Sequence, residues 1–166
     1  VFTNVVKLLA VVTLVGSFGV WIYAFSGAAD RDPPDLLDDA SWSEAAEAIC
    51  SRAVADVEQL PGAIEASDVD ERSAQVRAAT DRFAEMLVEL ELLPTSSNRD
   101  AQITTDWLAD WRTLTQDRYR YADRILDDPA APFTITDIGV GERLDRRITR
   151  MATTNLMPSC GSPTDV

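Results

Sequence analysis

The sequence predicts an all-α protein, an N-terminal transmembrane helix followed by an antiparallel four-helix bundle. Three observations predict it. Leu8 to Phe25 reads LLAVVTLVGSFGVWIYAF, eighteen residues without a charge. Beyond residue 40, apolar side chains recur at spacings of three and four in four separate stretches. Mostly short connections join those stretches, which favours antiparallel neighbours. The expected division is a transmembrane anchor over 1–29, an acidic Pro-containing stalk over 30–40, and an extracytoplasmic helical bundle with a C-terminal tail over 41–166.

Eighteen residues of helix rise ~27 Å, close to the thickness of a bilayer's hydrocarbon core, and SGAA carries the uncharged run on to Ala29. Trp21 and Tyr23 lie toward its far end, where amphipathic rings favour the membrane interface. Lys7 flanks the near end, and Asp30, Asp32, Asp35, Asp38 and Asp39 crowd the other. The positive-inside bias then expects a cell-membrane protein with its N-terminus cytoplasmic and residues 30–166 extracytoplasmic. A cleaved signal peptide is the alternative, with Ser26-Gly27-Ala28 as a loose small-x-small site, although the apolar run exceeds the usual ~7–15 residues. Both readings put the domain outside the cytoplasm.

The stretch DRDPPDLLDDA, residues 30–40, combines Pro-Pro with acids and reads as an extended stalk; a calcium loop would need a Gly at its turn and a distal Glu. Ser41-Trp42-Ser43-Glu44 offers a capping box for the first helix of the domain, whose stripe runs through Trp42, Ala46, Ile49, Ala53, Val57 and Leu60. Asp68 with Glu71 offers the next box, before a stripe of Val69, Val76, Ala79, Phe83, Met86, Leu87 and Leu90. Asp100 is the expected N-cap of the third helix, which stops before Asp127-Asp128-Pro129. Residues 129–141 break the pattern and predict an extended, partly packed loop. A shorter helix follows, with Leu144, Ile148 and Met151 on one face.

Cys50 and Cys160 are the only cysteines, and in an oxidising compartment two cysteines in one small domain pair. Such a disulfide closes a loop of about 110 residues and ties the tail to the first helix of the domain. A redox role would call for closer spacing.

Charge narrows the function classes. Asp and Glu number 28 against 15 Lys and Arg, a net charge of −13, and no basic stripe is present to displace counterions from a phosphate backbone. Nucleic acid is therefore not an expected partner. The chain has no His, which removes the usual general base and the commonest metal ligand. No enzyme activity, metal or cofactor is expected, and Gly139-x-Gly141 is too short for a phosphate-cradling loop.

Four polar residues fall in register with the apolar stripes: Asp56, Arg72, Arg118 and Asn155. Arg118 stands in the middle of an aromatic stripe containing Trp107, Trp111 and Tyr121. Asp56 lies fourteen residues beyond Trp42 and Arg118 seventeen beyond Ala101, rises of ~21 and ~25 Å, so in an up-down bundle they can meet with Arg72 nearby. Two readings are open. One is a buried ion pair, Arg118 with Asp56, that sets which helix packs on which. The other is an Arg in a pocket lined by Trp107, Trp111 and Tyr121 that grasps an anion with both arms of its fork. Asp106, Asp110 and Asp117 flank the same stripe as a solvated acidic face or, less simply, a cation site.

The pattern Trp107-x-x-x-Trp111, Asp117-Arg118, Tyr121-Ala122 and an Asn155…Cys160 ending resembles a group of uncharacterised single-pass actinobacterial membrane proteins with an extracytoplasmic helical domain. The resemblance implies the anchor and the compartment and brings no activity with it. The expected function is an interaction module that contacts the membrane through one span and a protein partner through its domain, as an accessory or structural subunit of a membrane or cell-envelope complex. The alternative is a small anionic-ligand or ion-binding domain centred on Arg118.

Overall fold

Five α-helices account for nearly all the regular structure in a computed structural model that describes residues 2–26, 33–139 and 141–165, with no strand among them. The chain divides into two units, Val1–Pro34 and Asp35–Val166.

The first unit holds helix α1, Phe2–Phe25. Within it Val5–Phe25, 21 residues with a mean hydropathy of 2.1, is long and apolar enough to cross a membrane. Val6, Val11, Val12, Leu14 and Val20 are all exposed, and at about 100° per residue they point around the full circumference with no charged face between them. Such a helix has no core-facing stripe to bury. Trp21 stacks on Phe25 with ring centroids 4.6 Å apart. The helix ends at Phe25, short of the expected Ala29; residues 27–32, which include that end and the stalk's Asp30 and Asp32, lie outside the described residues.

The second unit begins earlier than expected, because residues 35–39 are not a free stalk. Leu37 is buried, and its N–H donates to Asn155 Oδ1 at 2.8 Å. The N–H groups of Asp38 and Asp39 donate to the two carboxylate oxygens of the buried Asp100, at 3.1 and 3.2 Å. Composition concealed this: Pro-Pro and five acids read as solvated chain, yet Leu36-Leu37 supplies an apolar anchor.

Helix α2, Ala40–Glu58, is capped by Asp39 rather than by the expected Ser41; Asp39 Oδ1 accepts from Ser41 N and Oγ at 2.9 and 2.6 Å. The Ser41 bonds hold the Asp39 carboxyl below its usual pKa. Helix α3, Val69–Glu91, starts at the expected Asp68, which accepts from Glu71 N at 2.8 Å, while the Glu71 carboxylate reaches back to Ser67. Helix α4, Asn98–Asp127, is capped by Ser97, which frees Asp100 to hold the incoming chain. Helix α5, Leu144–Thr154, buries Leu144, Ile148 and Met151 as the periodicity predicts.

Helix α3 packs on both α2 and α4, and α5 on α4. Glu91 meets Arg112, Thr80 meets Arg118, and Ser73 meets the carbonyl of Ala122, so α3 and α4 run antiparallel. Helices α2 and α5 share no close backbone approach; a 3₁₀ turn, Pro158–Cys160, packs on both and fills the gap. Cys160 Sγ lies 2.04 Å from Cys50 Sγ, the bonding distance of a disulfide. The core runs as a chain of rings from Trp42 to Trp107, Trp111 and Phe83, with centroids 6.2, 6.4 and 5.7 Å apart.

The turn that closes α5 is a Schellman motif: Met157 N donates to Ala152 O and Leu156 N to Thr153 O. Its left-handed position is filled by Leu156, at a φ of 59° and 84 % exposed, where glycine is the unstrained residue.

Candidate functional site

Arg118 is 1 % exposed, on the inner face of α4. Each of its three guanidinium nitrogens makes a hydrogen bond. Nε–H donates to Thr80 Oγ1 at 3.0 Å, and the Thr80 hydroxyl donates onward to Val76 O at 2.6 Å, which leaves a lone pair aimed at the arginine. The fork's two outer nitrogens donate to the two carboxylate oxygens of Asp165, both at 2.7 Å. The Phe83 ring lies beneath, 5.2 Å from the guanidinium carbon to its centroid, and stacks in turn against Trp111. This is the planar, bidentate geometry with which arginine recognises a carboxylate, built on a buried aromatic ring.

The carboxylate partner is not the expected one. Asp56 is exposed and makes no hydrogen bond or ion pair with Arg118; it lies at the edge of the α2 stripe, about 60° of helix from Ala53 and about 100° from Val57. Near the end of α2, water solvates that carboxylate at no cost. Asp165 lies five residues after Cys160, and the 3₁₀ turn delivers it to the arginine.

The other polar residues of the stripes sit in separate places. Arg72 donates to Tyr121 Oη and lies 5.6 Å over its ring, three residues along α4 from Arg118. Asn155, buried, accepts from Leu37 N and donates to Asp35 O at 2.8 Å and Met151 O at 2.9 Å, so it locks the incoming segment onto α5. The aromatic residues are core: Trp107 Nε1 donates to Ile148 O at 3.1 Å, Trp111 Nε1 to Cys160 O at 3.3 Å, and Tyr121 stands edge-on to Phe133. Trp111 and Tyr121 are at most 2 % exposed.

Two of the three acids of the row on α4, Asp110 and Asp117, are paired within the fold. Asp117, 3 % exposed, accepts from Thr136 N and Oγ1 at 2.7 and 2.8 Å and from Arg120. Asp110 accepts both ends of the Arg147 fork and pushes that guanidinium's pKa up. Only Asp106 stays in water. Among the described residues no cluster of His, Cys, Asp or Glu is arranged to hold a metal ion. A groove of about 460 Å³ opens between α4 and α5 beside Asp110 and Arg147, with Arg150 at its rim. Its arginines are already matched, Arg147 by Asp110 and Arg150 by Asp35 and Glu142.

Thr80, Phe83 and Asp165 were missed in the sequence. Thr80 carried a signal, since it lies on the buried side of α3 between Val76 and Phe83. Asp165 carried none. Comparisons of the chain with protein-family models, curated proteins and solved structures gave no match.

Proposed function

We propose that this protein is a membrane-anchored extracytoplasmic interaction module, an accessory or structural subunit of a membrane or cell-envelope complex. The observation that carries the reading is the pairing of an apolar helix, Val5–Phe25, with a separate helical unit whose two cysteines lie at bonding distance. Disulfides persist outside the cytoplasm, so the cysteine pair and the Lys7-to-acid asymmetry favour the same orientation. In this reading α2 to α5 form an antiparallel up-down-up-down bundle, which the Arg52–Glu89, Arg118–Thr80 and Arg147–Asp110 contacts support. Cross-linking in native membranes followed by mass spectrometry should recover peptides of this chain joined to a second protein. Self-contacts alone would sink the subunit reading. Protease added to spheroplasts should remove epitopes in 35–166; complete protection would reverse the topology.

A second reading has its own observation. Arg118 holds a carboxylate through both arms at 2.7 Å, which makes the surroundings of that arginine an anion site in chemistry and shape.

A further inference from the structure

We infer that Arg118, Thr80 and Phe83 form a carboxylate-binding site that residues 161–165 close in cis by inserting Asp165, and that opens to carboxylates in trans when this strap lifts. The inference rests on the anion-binding reading of Arg118 and adds its ligand class and its gate.

The asymmetry between the two partners carries the argument. Arg118 is an immobile part of the core: 1 % exposed, braced by Thr80 and seated on Phe83. Asp165 is 32 % exposed at its side chain and belongs to a segment with little else to hold it. No residue from Gly161 to Asp165 is buried. The strap's other bonds are Gly161 N to Pro158 O at 3.3 Å, which is local to its own turn, and Ser162 N to the exposed Thr149 hydroxyl at 3.1 Å. With no side chain among the described residues 161–165 packed on the hydrophobic core, the strap stays down chiefly because Arg118 needs a counter-charge. No other carboxylate among the described residues pairs with Arg118.

A guanidinium stripped of its only counter-ion in a low-dielectric wall is costly, so the site with the strap lifted favours any carboxylate of matching shape. The disulfide fixes the base of the strap at Cys160, five residues from Asp165. A tether that short presents its carboxylate at an effective concentration in the millimolar range, which an external ligand must match or exceed. The strap therefore acts as a threshold, admitting a carboxylate that is concentrated or that binds through further contacts. A partner presenting an Asp, Glu or terminal carboxylate meets that condition.

The test uses the full chain in nanodiscs, as wild type, Asp165→Ala, Asp165→Asn and Asp165→Ala with Arg118→Met. Sodium formate and an amidated Gly-Ser-Pro-Thr-Asp peptide are the probes, with sodium chloride as the ionic-strength control. Formate at tens of millimolar should restore most of the thermal midpoint that Asp165→Ala loses, as ligand linkage requires for a millimolar site, and chloride should not. The same rescue should appear in Asp165→Asn and vanish in the double variant. Rescue by the peptide but not by formate would assign the site to polypeptide carboxylates and still support it. No rescue by either probe would overturn both the site and the anion-binding reading. Hydrogen exchange on the wild type tests the gate alone: residues 161–165 should exchange at least tenfold faster than α4. Exchange as slow as α4 would overturn the gate while leaving the anion-binding reading in place.

Discussion

Asp117 and Arg118 are neighbours on α4, both buried, and they do not pair with each other. Each instead holds down a different non-helical segment. Asp117 takes the backbone and hydroxyl of Thr136, in the loop between α4 and α5, and Arg118 takes Asp165, after the 3₁₀ turn. The loop also presses Phe133, Ile135 and Ile138 against the core, so its polar contact supplements a hydrophobic one. Among the described residues of the strap, 161–165, no side chain packs on the core in this way. Identical chemistry, a buried charge gripping a passing segment, thus yields a permanent part of the fold in one case and a removable one in the other. What distinguishes them is apolar area, the dominant favourable contribution to folding.

The comparison can be broken most severely at the base of the strap. Replacing both Cys50 and Cys160 with alanine releases a loop of 110 residues, worth ~4–5 kcal/mol in the chain-entropy model. We expect a large fall in thermal midpoint with helicity retained below it, and faster exchange at 161–165 but not at 133–136. Equal loosening of both segments would mean that the loop too depends on the turn.

Next comes the ion pair. Asp165→Ala leaves a buried guanidinium without its counter-charge and should cost ~3 kcal/mol by chemical denaturation, at the low end of the range for breaking buried pairs because Asp165 is partly in water. Arg118→Met leaves only a carboxylate that can turn to solvent, and should cost about half as much. The double variant should resemble Arg118→Met. Additive losses would show that the two residues stabilise the fold independently.

On the loop, Phe133→Ala should cost ~2 kcal/mol and Asp117→Asn ~1–2 kcal/mol, from lost apolar burial and a weakened charge-assisted hydrogen bond respectively. No added anion should rescue either variant. Rescue by formate would erase the distinction between the two segments.

The smallest effect lies one residue beyond Arg118, where α4 meets the exposed edge of α3. Burial raises the Tyr119 hydroxyl to about 12 from 10.0, helped by its bond to Asp81 Oδ1 at 2.6 Å. The folded state therefore holds this proton more tightly than the unfolded chain does. Its contribution is complete below pH 10.0 and is lost as the pH rises toward about 12. Denaturation midpoints measured across that window should fall slightly in the wild type, and less in Tyr119→Phe. Exchange at 161–165 should not follow this titration; if it did, the strap would be reporting on the whole α3–α4 interface.

The helices were legible from one dimension because burial of a helical face leaves a periodic trace. The stripes through Phe83, Trp111 and Ile148 predicted α3, α4 and α5, and the uninterrupted run before Phe25 marked α1 as a helix with no polar face. The placement of Arg118 inside the aromatic stripe, and its need for a carboxylate, followed from the same periodicity and the cost of burying charge. Cys50 and Cys160 could be paired by elimination. The choice of partners was not periodic and so left no trace. Asp39 and Ser97, two and three residues before the expected caps, won because an N-cap depends on a local backbone turn that several polar residues can supply. Residues 37–39, in a run of acids and prolines, dock because Asn155 at the end of α5 meets Leu37 and Asp100 at the start of α4 meets Asp38 and Asp39. Of the nineteen aspartates in the chain, it was Asp165 that reached Arg118, since the disulfide and the turn brought it across. Spacing along a helix determines which side chains turn inward, but which distant segment supplies the matching charge is decided only when the chain has closed on itself.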